Sequence, residues 1–226
     1  MAIKSQAIGI IIDCSASMNR LNREVNKDFA DLVSAIKTSS LNTGIDTRVT
    51  VLESSVGVKA ANILQDINVD IRGLFAQRKI PTDGNGTRIN DAIVQMIELF
   101  RALYKDQREV LIYVLTDGQD TCSNSTNYET QKLILDNKNW VVSFRGPQSV
   151  RSHYNMIDSE NFLIWGNREE LVKSSAATIQ ATTQYFDDRS KGVFRSTLYS
   201  NLNASSAQVK AHMQEITADV QVAAVS

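Results

Sequence analysis

The sequence predicts an α/β fold, a mostly parallel sheet covered by helices on both faces. Three observations predict it. Short, nearly continuous apolar runs at Ala7–Ile12 and Val110–Leu115 have the pattern of strands buried on both sides. Long stretches between such runs repeat an apolar residue every third or fourth position, which is one face of an amphipathic helix. Strand and helix alternate along the chain, and parallel strands joined through helices place those helices on the faces of the sheet.

In chain order, Ala7–Ile12 is the first strand, and a polar loop runs from Asp13 to Ser17. Met18, Leu21, Val25, Phe29, Leu32, Val33 and Ile36 form the first helical stripe, with Ser17 placed as its N-cap. Thr47–Leu52 alternates and is rich in β-branched residues, so it is a strand. One or two short strands are expected between Ser55 and Asp70. Pro81–Gly86 is a glycine-rich turn. Ile89, Ala92, Ile93, Met96, Ile97, Phe100 and Leu103 make the second strong stripe. After the Val110–Leu115 strand come a helix at Tyr128–Asn137, a strand at Trp140–Phe144, a short helix near Val150–Ile157, a strand at Phe162–Trp165 and a helix from Arg168 to about Tyr185. Phe194–Leu202 reads as an extended strap. Val209, Met213, Ile216 and Val220 then keep helical spacing, for a last helix that packs on the domain or serves docking or self-association. The expected division is a domain over residues 1–190 and a C-terminal extension over 191–226.

The totals exclude several classes of function. With 226 residues, 42% apolar and 22% charged, the chain has material for one domain with a true core. Its net charge of -1 and the lack of a basic stripe argue against nucleic acid as a partner. The first apolar run is too short to span a membrane and leads into Asp13 without a small-residue cleavage site, so the expected location is cytoplasmic, a phage-infected cell or virion included. Two cysteines, Cys14 and Cys122, make neither a disulfide framework nor a zinc spacing, and suit a reducing compartment.

Chemistry is expected where two strands end in aspartate. In an open α/β sheet, ligands bind beyond the carboxyl ends of the strands. Asp13 and Asp117 both lie there, and Ser15 and Ser17 follow Asp13 at alternate positions, where a curling loop turns all three side chains to one point. Thr87 opens the second strong helix just after Gly86, whose conformational freedom allows a tight approach. Singly, these residues have plainer readings: Ser17 and Thr87 as helix caps, Asp117 before Gly118 as a turn residue. Together they form an all-oxygen set of two carboxylates and three hydroxyls, which suits a hard divalent cation, Mg²⁺ or else Mn²⁺ or Ca²⁺. So few negative ligands leave the cation underneutralised and receptive to an incoming carboxylate. Asp83, Asp91 and Asp120 are nearby solvated or supporting acids. His153 and His212 are isolated, and Trp140 and Trp165 read as core or strand-end aromatics.

This pattern resembles the metal-ion-dependent adhesion site (MIDAS) of von Willebrand factor A (vWA) domains: Asp-x-Ser-x-Ser, a distant Thr, and a distant Asp usually followed by Gly. Here those are Asp13-Cys14-Ser15-Ala16-Ser17, Gly86-Thr87 and Thr116-Asp117-Gly118, over a resemblance spanning roughly residues 6 to 187. The resemblance implies a Rossmann-like sheet of six strands with one antiparallel edge strand, from the Thr47 region or just after it. It also implies that the strands carrying Cys14 and Cys122 are neighbours, which would bring the two thiols near each other. The expected function is a non-enzymatic, metal-dependent protein–protein interaction module that binds an Asp or Glu side chain of a partner. Intracellular bacterial members of the family often work beside a AAA+ ATPase, and self-association is a further option. The alternatives are a structural or assembly component of a phage or bacterial complex and, less favoured, a Mg²⁺ phosphohydrolase of the haloacid dehalogenase type. Position 15 counts against the last: it is Ser, where such enzymes need a second aspartate as general acid.

Overall fold

The computed structural model of the protein describes residues 5–69, 79–104, 110–137, 139–155, 157, 159–194 and 197–199. Six strands form one sheet: β1 (Ser5–Asp13), β2 (Asp46–Ser54), β3 (Val58–Asp66), β4 (Val110–Leu115), β5 (Val141–Gly146) and β6 (Phe162–Ile164). Their spatial order is β3-β2-β1-β4-β5-β6, so the chain starts in the middle and winds out to both edges. Every pairing is parallel except β2 with β3. The antiparallel edge strand is therefore the segment just after the Thr47 region. Thr47 itself lies in β2, parallel to β1 and opposite Gln6. A short reversal at 55–57 turns β2 straight back into β3, and a connection that short can join only antiparallel neighbours.

The helices are α1 (Asn22–Thr43), α2 (Ile89–Leu103), α3 (Asn127–Asp136), α4 (Gln148–Arg151) and α5 (Arg168–Ser190). Two core clusters lie on opposite faces of the sheet. One joins Phe29, Leu32, Val33 and Ile36 of α1 with Ala177, Tyr185 and Phe186 of α5, and the other holds Ile93, Met96, Ile97 and Phe100 of α2. Because side chains alternate along a strand, β1 feeds both clusters, with Ile8, Ile10 and Ile12 on one side and Ala7 and Ile11 on the other. Burial on both faces is what makes this strand read as one apolar run.

Several expectations need correction. Ser17 caps no helix: a 3₁₀ turn (Ala16–Leu21) precedes α1, and the residue before α1 is Leu21, with no side-chain cap. The hydroxyl of Ser17 is engaged elsewhere, as described below. The helix expected near Val150–Ile157 closes after Arg151. The Arg151 guanidinium reaches on to the carbonyls of Tyr154 and Ile157, which a continuing helix would occupy with its own N–H groups. The last helix runs to Ser190, past Tyr185. In this added stretch Arg189 is buried, its guanidinium over the rings of Tyr185 (4.6 Å) and Phe194 (4.4 Å). The strap expected at 194–202 lies partly, and the tail helix from 207 wholly, outside the described residues. Leu198 and Tyr199 belong to the α1/α5 core cluster. The Tyr199 hydroxyl meets the Ser143 hydroxyl of β5 at 2.5 Å and the Thr178 hydroxyl of α5 at 3.2 Å.

A buried ion pair links the layers. Arg145 at the end of β5 donates from both guanidinium nitrogens to Asp28 of α1, at 2.8 and 2.5 Å. Both residues are almost fully buried, so removing either would leave the other's charge buried without its partner.

Candidate metal centre

The expected residues lie beyond the carboxyl ends of the central strands β1 and β4 and in the loop zipped onto them. Asp13 is the last residue of β1, and Asp117 lies two residues beyond β4, which is the direct neighbour of β1. Asp13 is fully buried. Its Oδ1 accepts the Ser15 backbone N–H at 2.9 Å, which curls the loop tightly over the strand end. Its Oδ2 accepts the Thr116 hydroxyl proton at 2.5 Å. Burial pushes the Asp13 carboxyl above its ordinary range; the hydrogen bonds from Thr116 and Ser15 oppose that push, and the charge of Asp117 adds to it.

From there a chain of hydroxyls crosses to the second carboxylate. Ser17 Oγ donates to Asp117 Oδ1 at 2.7 Å, and Ser15 and Ser17 hydroxyls are 2.9 Å apart. Since the Ser17 proton points to Asp117, Ser15 is the donor in the second bond. The other oxygen of Asp117, Oδ2, is buried and receives no hydrogen bond. Arg20 Nη2 stands 3.5 Å from it, close enough for an ion pair, from a side chain that is 71% exposed while that of Asp117 is fully buried.

Thr87 is delivered by the 80–87 loop, which is zipped onto the first loop. Ser15 and Gly84 form a parallel bridge, Ala16 N–H donates to the Gly84 carbonyl (2.7 Å), and Gly84 N–H donates to that of Cys14 (3.0 Å). Two glycines make this approach possible. A Cβ on Gly84 would lie 2.4 Å from Ser55 Cβ and 2.9 Å from the Cys14 carbonyl oxygen. Gly86 has φ +86°, and a Cβ there would lie 2.8 Å from Cys122 Sγ. Thr87 is then held on both sides: its N–H donates to Thr121 Oγ1, and its carbonyl accepts from the N–H groups of Thr121 and Cys122. It is buried, its Oγ1 being 3.9 Å from where a Cβ on Gly118, the residue after Asp117, would stand.

The acids outside the set have separate work. Asp120 accepts N–H groups from Asn90 and Ser123, and Asp91 accepts those of Asn124 and Ser125. Together they fasten the 120–126 loop to the start of α2, while Asp83 is exposed. The thiols of Cys14 and Cys122 are turned toward the carbonyls of Ile12 and Thr87, each at 3.5 Å. The His153 ring packs edge-on against Tyr154, and Trp140 and Trp165 are buried.

Sequence reasoning missed two residues here. Thr116 orients Asp13, and its position directly before Asp117 was a signal that side chains at the end of β4 reach the same point. Arg20 contacts Asp117; its place three residues after Ser17, one helical turn along, was the available clue.

Among the described residues no group of three or more His, Cys, Asp or Glu is placed to hold a metal ion, so the hydroxyls are essential to any ligand set here. The donor chemistry fits a hard cation: every oxygen is a carboxylate or an alcohol, and a buried carboxylate oxygen lacks a hydrogen-bond donor.

No protein-family model and no curated protein sequence matches the chain. Its fold is nevertheless that of vWA domains. Proximal thread matrix protein 1 from the mussel byssus is similar over 79% of this chain and 48% of its own, with a TM-score of 0.61 and 20% identity. A second structure of that mussel protein is described as having a zinc-occupied MIDAS motif. A von Willebrand factor type A protein from Catenulispora acidiphila is similar over 80% of this chain and 43% of its own (TM-score 0.53, 17% identity). The pilus adhesin SpaC from Lactobacillus rhamnosus GG is similar over 82% of this chain and 31% of its own (TM-score 0.63, 12% identity). The chain thus spans less than half the length of each of these proteins.

Proposed function

We propose that this chain, folded as a vWA-type domain, is a non-enzymatic protein-interaction module that uses a divalent cation to capture an acidic side chain. One observation carries the reading: Asp117 Oδ2 is buried and receives no hydrogen bond, while its other oxygen accepts from Ser17, whose hydroxyl meets that of Ser15, the residue whose N–H Asp13 holds. A buried carboxylate oxygen without a donor is costly unless a cation satisfies it.

Asp13, Ser15, Ser17, Thr87 and Asp117 would hold the cation, with Mg²⁺ or Mn²⁺ the best fit to this donor set. When bound, it supplies residual positive charge and an exchangeable position for a partner's carboxylate. The protein's own contribution is rigidity. Thr116 and the Ser15 N–H fix Asp13, Ser17 fixes one oxygen of Asp117, and the zipped 80–87 loop holds Thr87 in place. The similarity to an adhesin and to a thread matrix protein supports binding over catalysis.

Thermal unfolding tests the site. At a metal concentration about 100 times the dissociation constant, binding to the native state alone stabilises by about 2.7 kcal/mol. For a chain of this size that is a rise of roughly 5–10 °C in Tm. Excess Mg²⁺ or Mn²⁺ should raise Tm, EDTA should reverse the rise, and Ser15→Ala and Asp117→Ala should abolish it. Equal responses from both variants and wild type would refute the site. A pull-down with and without EDTA then tests whether partner capture depends on the metal.

A further inference from the structure

We infer that Arg20 is a built-in rival cation of this site: its guanidinium neutralises Asp117 in the metal-free protein and is displaced when a divalent ion arrives. The inference rests on the metal reading above and concerns how that site is regulated.

The pair is asymmetric in a way that surface ion pairs are not. Asp117 has a fully buried side chain whose Oδ1 is fixed by the Ser17 hydroxyl. Arg20 is 71% exposed and approaches from solvent at 3.5 Å, toward the one oxygen that has no hydrogen bond. The acid is the fixed partner and the arginine the removable one. The 3.5 Å separation, with only the arginine reachable from solvent, makes the contact one that an arriving cation can displace.

The backbone around Arg20 is held independently of its side chain. Its carbonyl accepts from Arg168 Nη2 at 2.8 Å, and Arg168 Nε pairs in turn with Glu24 at 3.1 Å. Arg20 also lies in the 3₁₀ turn that begins within Asp-x-Ser-x-Ser, at Ala16–Leu21. Its guanidinium can therefore swing out while the turn, and Ser15 and Ser17 with it, stay in place.

Both cations address the same carboxylate, so they compete. A divalent ion set among these oxygens would meet the guanidinium's positive charge a few ångströms away. Removing that charge should strengthen metal binding by roughly five- to tenfold, the effect of a unit and a double charge repelling across about 5 Å at a solvated, salt-screened rim. Once displaced, the guanidinium stays at the rim, where a carboxylate that binds the metal would find a second positive group.

Calorimetric titration of the full chain with Mn²⁺ tests this, using wild type, Arg20→Gln, Arg20→Lys and Asp117→Ala. Arg20→Gln should bind Mn²⁺ five- to tenfold more tightly, Arg20→Lys should stay close to wild type because the charge is kept, and Asp117→Ala should lose binding. In parallel, the Tm gap between EDTA and Mn²⁺ should widen in Arg20→Gln, since its metal-free form holds an uncompensated Asp117. A purely structural role for Arg20 would lower Tm in both conditions and leave the affinity unchanged. Unchanged or weaker Mn²⁺ binding by Arg20→Gln, with binding still lost in Asp117→Ala, overturns the competition and leaves the metal site standing. Absence of Mn²⁺ binding in wild type and Arg20→Gln alike removes the metal reading and this inference together.

Discussion

Gly86→Ala perturbs the site without touching a ligand. Gly86 sits at φ +86°, outside the comfortable range of residues with a side chain, and a left-handed backbone costs such residues about 1–2 kcal/mol. The new methyl would also lie 2.8 Å from Cys122 Sγ, against an optimum of roughly 3.5–4 Å for nonbonded heavy atoms. Turning the thiol away would disturb its contacts with the carbonyls of Thr87 at 3.5 Å and Ser55 at 3.9 Å. Overpacking of this kind typically costs about 1–3 kcal/mol, so the total destabilisation should be about 3 kcal/mol. Urea unfolding of wild type, Gly86→Ala, Cys122→Ala and the double variant separates the two contributions. Cys122→Ala removes the collision but leaves the backbone strain, so the double variant should be more stable than the sum of the singles predicts, by about 1–2 kcal/mol. Additivity within about 0.5 kcal/mol would refute the collision. The variant should also weaken metal binding, because any outward shift of residue 86 carries Thr87 with it.

Three further outcomes follow from other parts of the structure. Asp28→Ala leaves Arg145 charged and buried without its partner, and should cost about 3–5 kcal/mol by chemical denaturation; a cost under about 1 kcal/mol, the worth of an exposed pair, would mean the pair is not buried in solution. Tyr199→Phe keeps the ring but removes the hydroxyl shared with Ser143 and Thr178, and should cost about 1–2 kcal/mol, whereas no change in Tm would show that residues 197–199 do not seat in the core. Burial raises the Asp91 carboxyl, but donation from Ser125 and Asn124 and the nearby Arg88 outweigh it, so its folded pKa lies below the ordinary 3.8. A depressed folded value means that its stabilisation is full above the unfolded pKa and is lost as pH falls through the folded one. Asp91→Asn should therefore narrow the stability difference between about pH 6 and pH 2, and an unchanged acid profile would contradict the shift.

The sequence by itself determined the architecture, because burial on both faces and helical spacing are local patterns. The continuous run of β1 and the stripe of α2 are legible for that reason. It also marked Asp13, Ser15, Ser17, Thr87 and Asp117, several of which have a plain local reading as a cap or turn residue but which together make an all-oxygen set at strand ends and a helix start. Tertiary structure alone decided what depends on distant chain segments meeting. Ser17 looks like a helix cap locally, but an acid one hundred positions away accepts its hydrogen bond. Arg189 belongs to no stripe that the periodicity marks, yet it meets the rings of Tyr185 and Phe194 in the fold. Asp28 and Arg145 give no pairing signal across 117 positions. Periodicity reports which face of an element is buried, but not which polar group lies opposite. The contact of Arg20 with Asp117 is of that second kind, set by the adjacency of β1 and β4 and by the 3₁₀ turn that swings Arg20 over the strand ends.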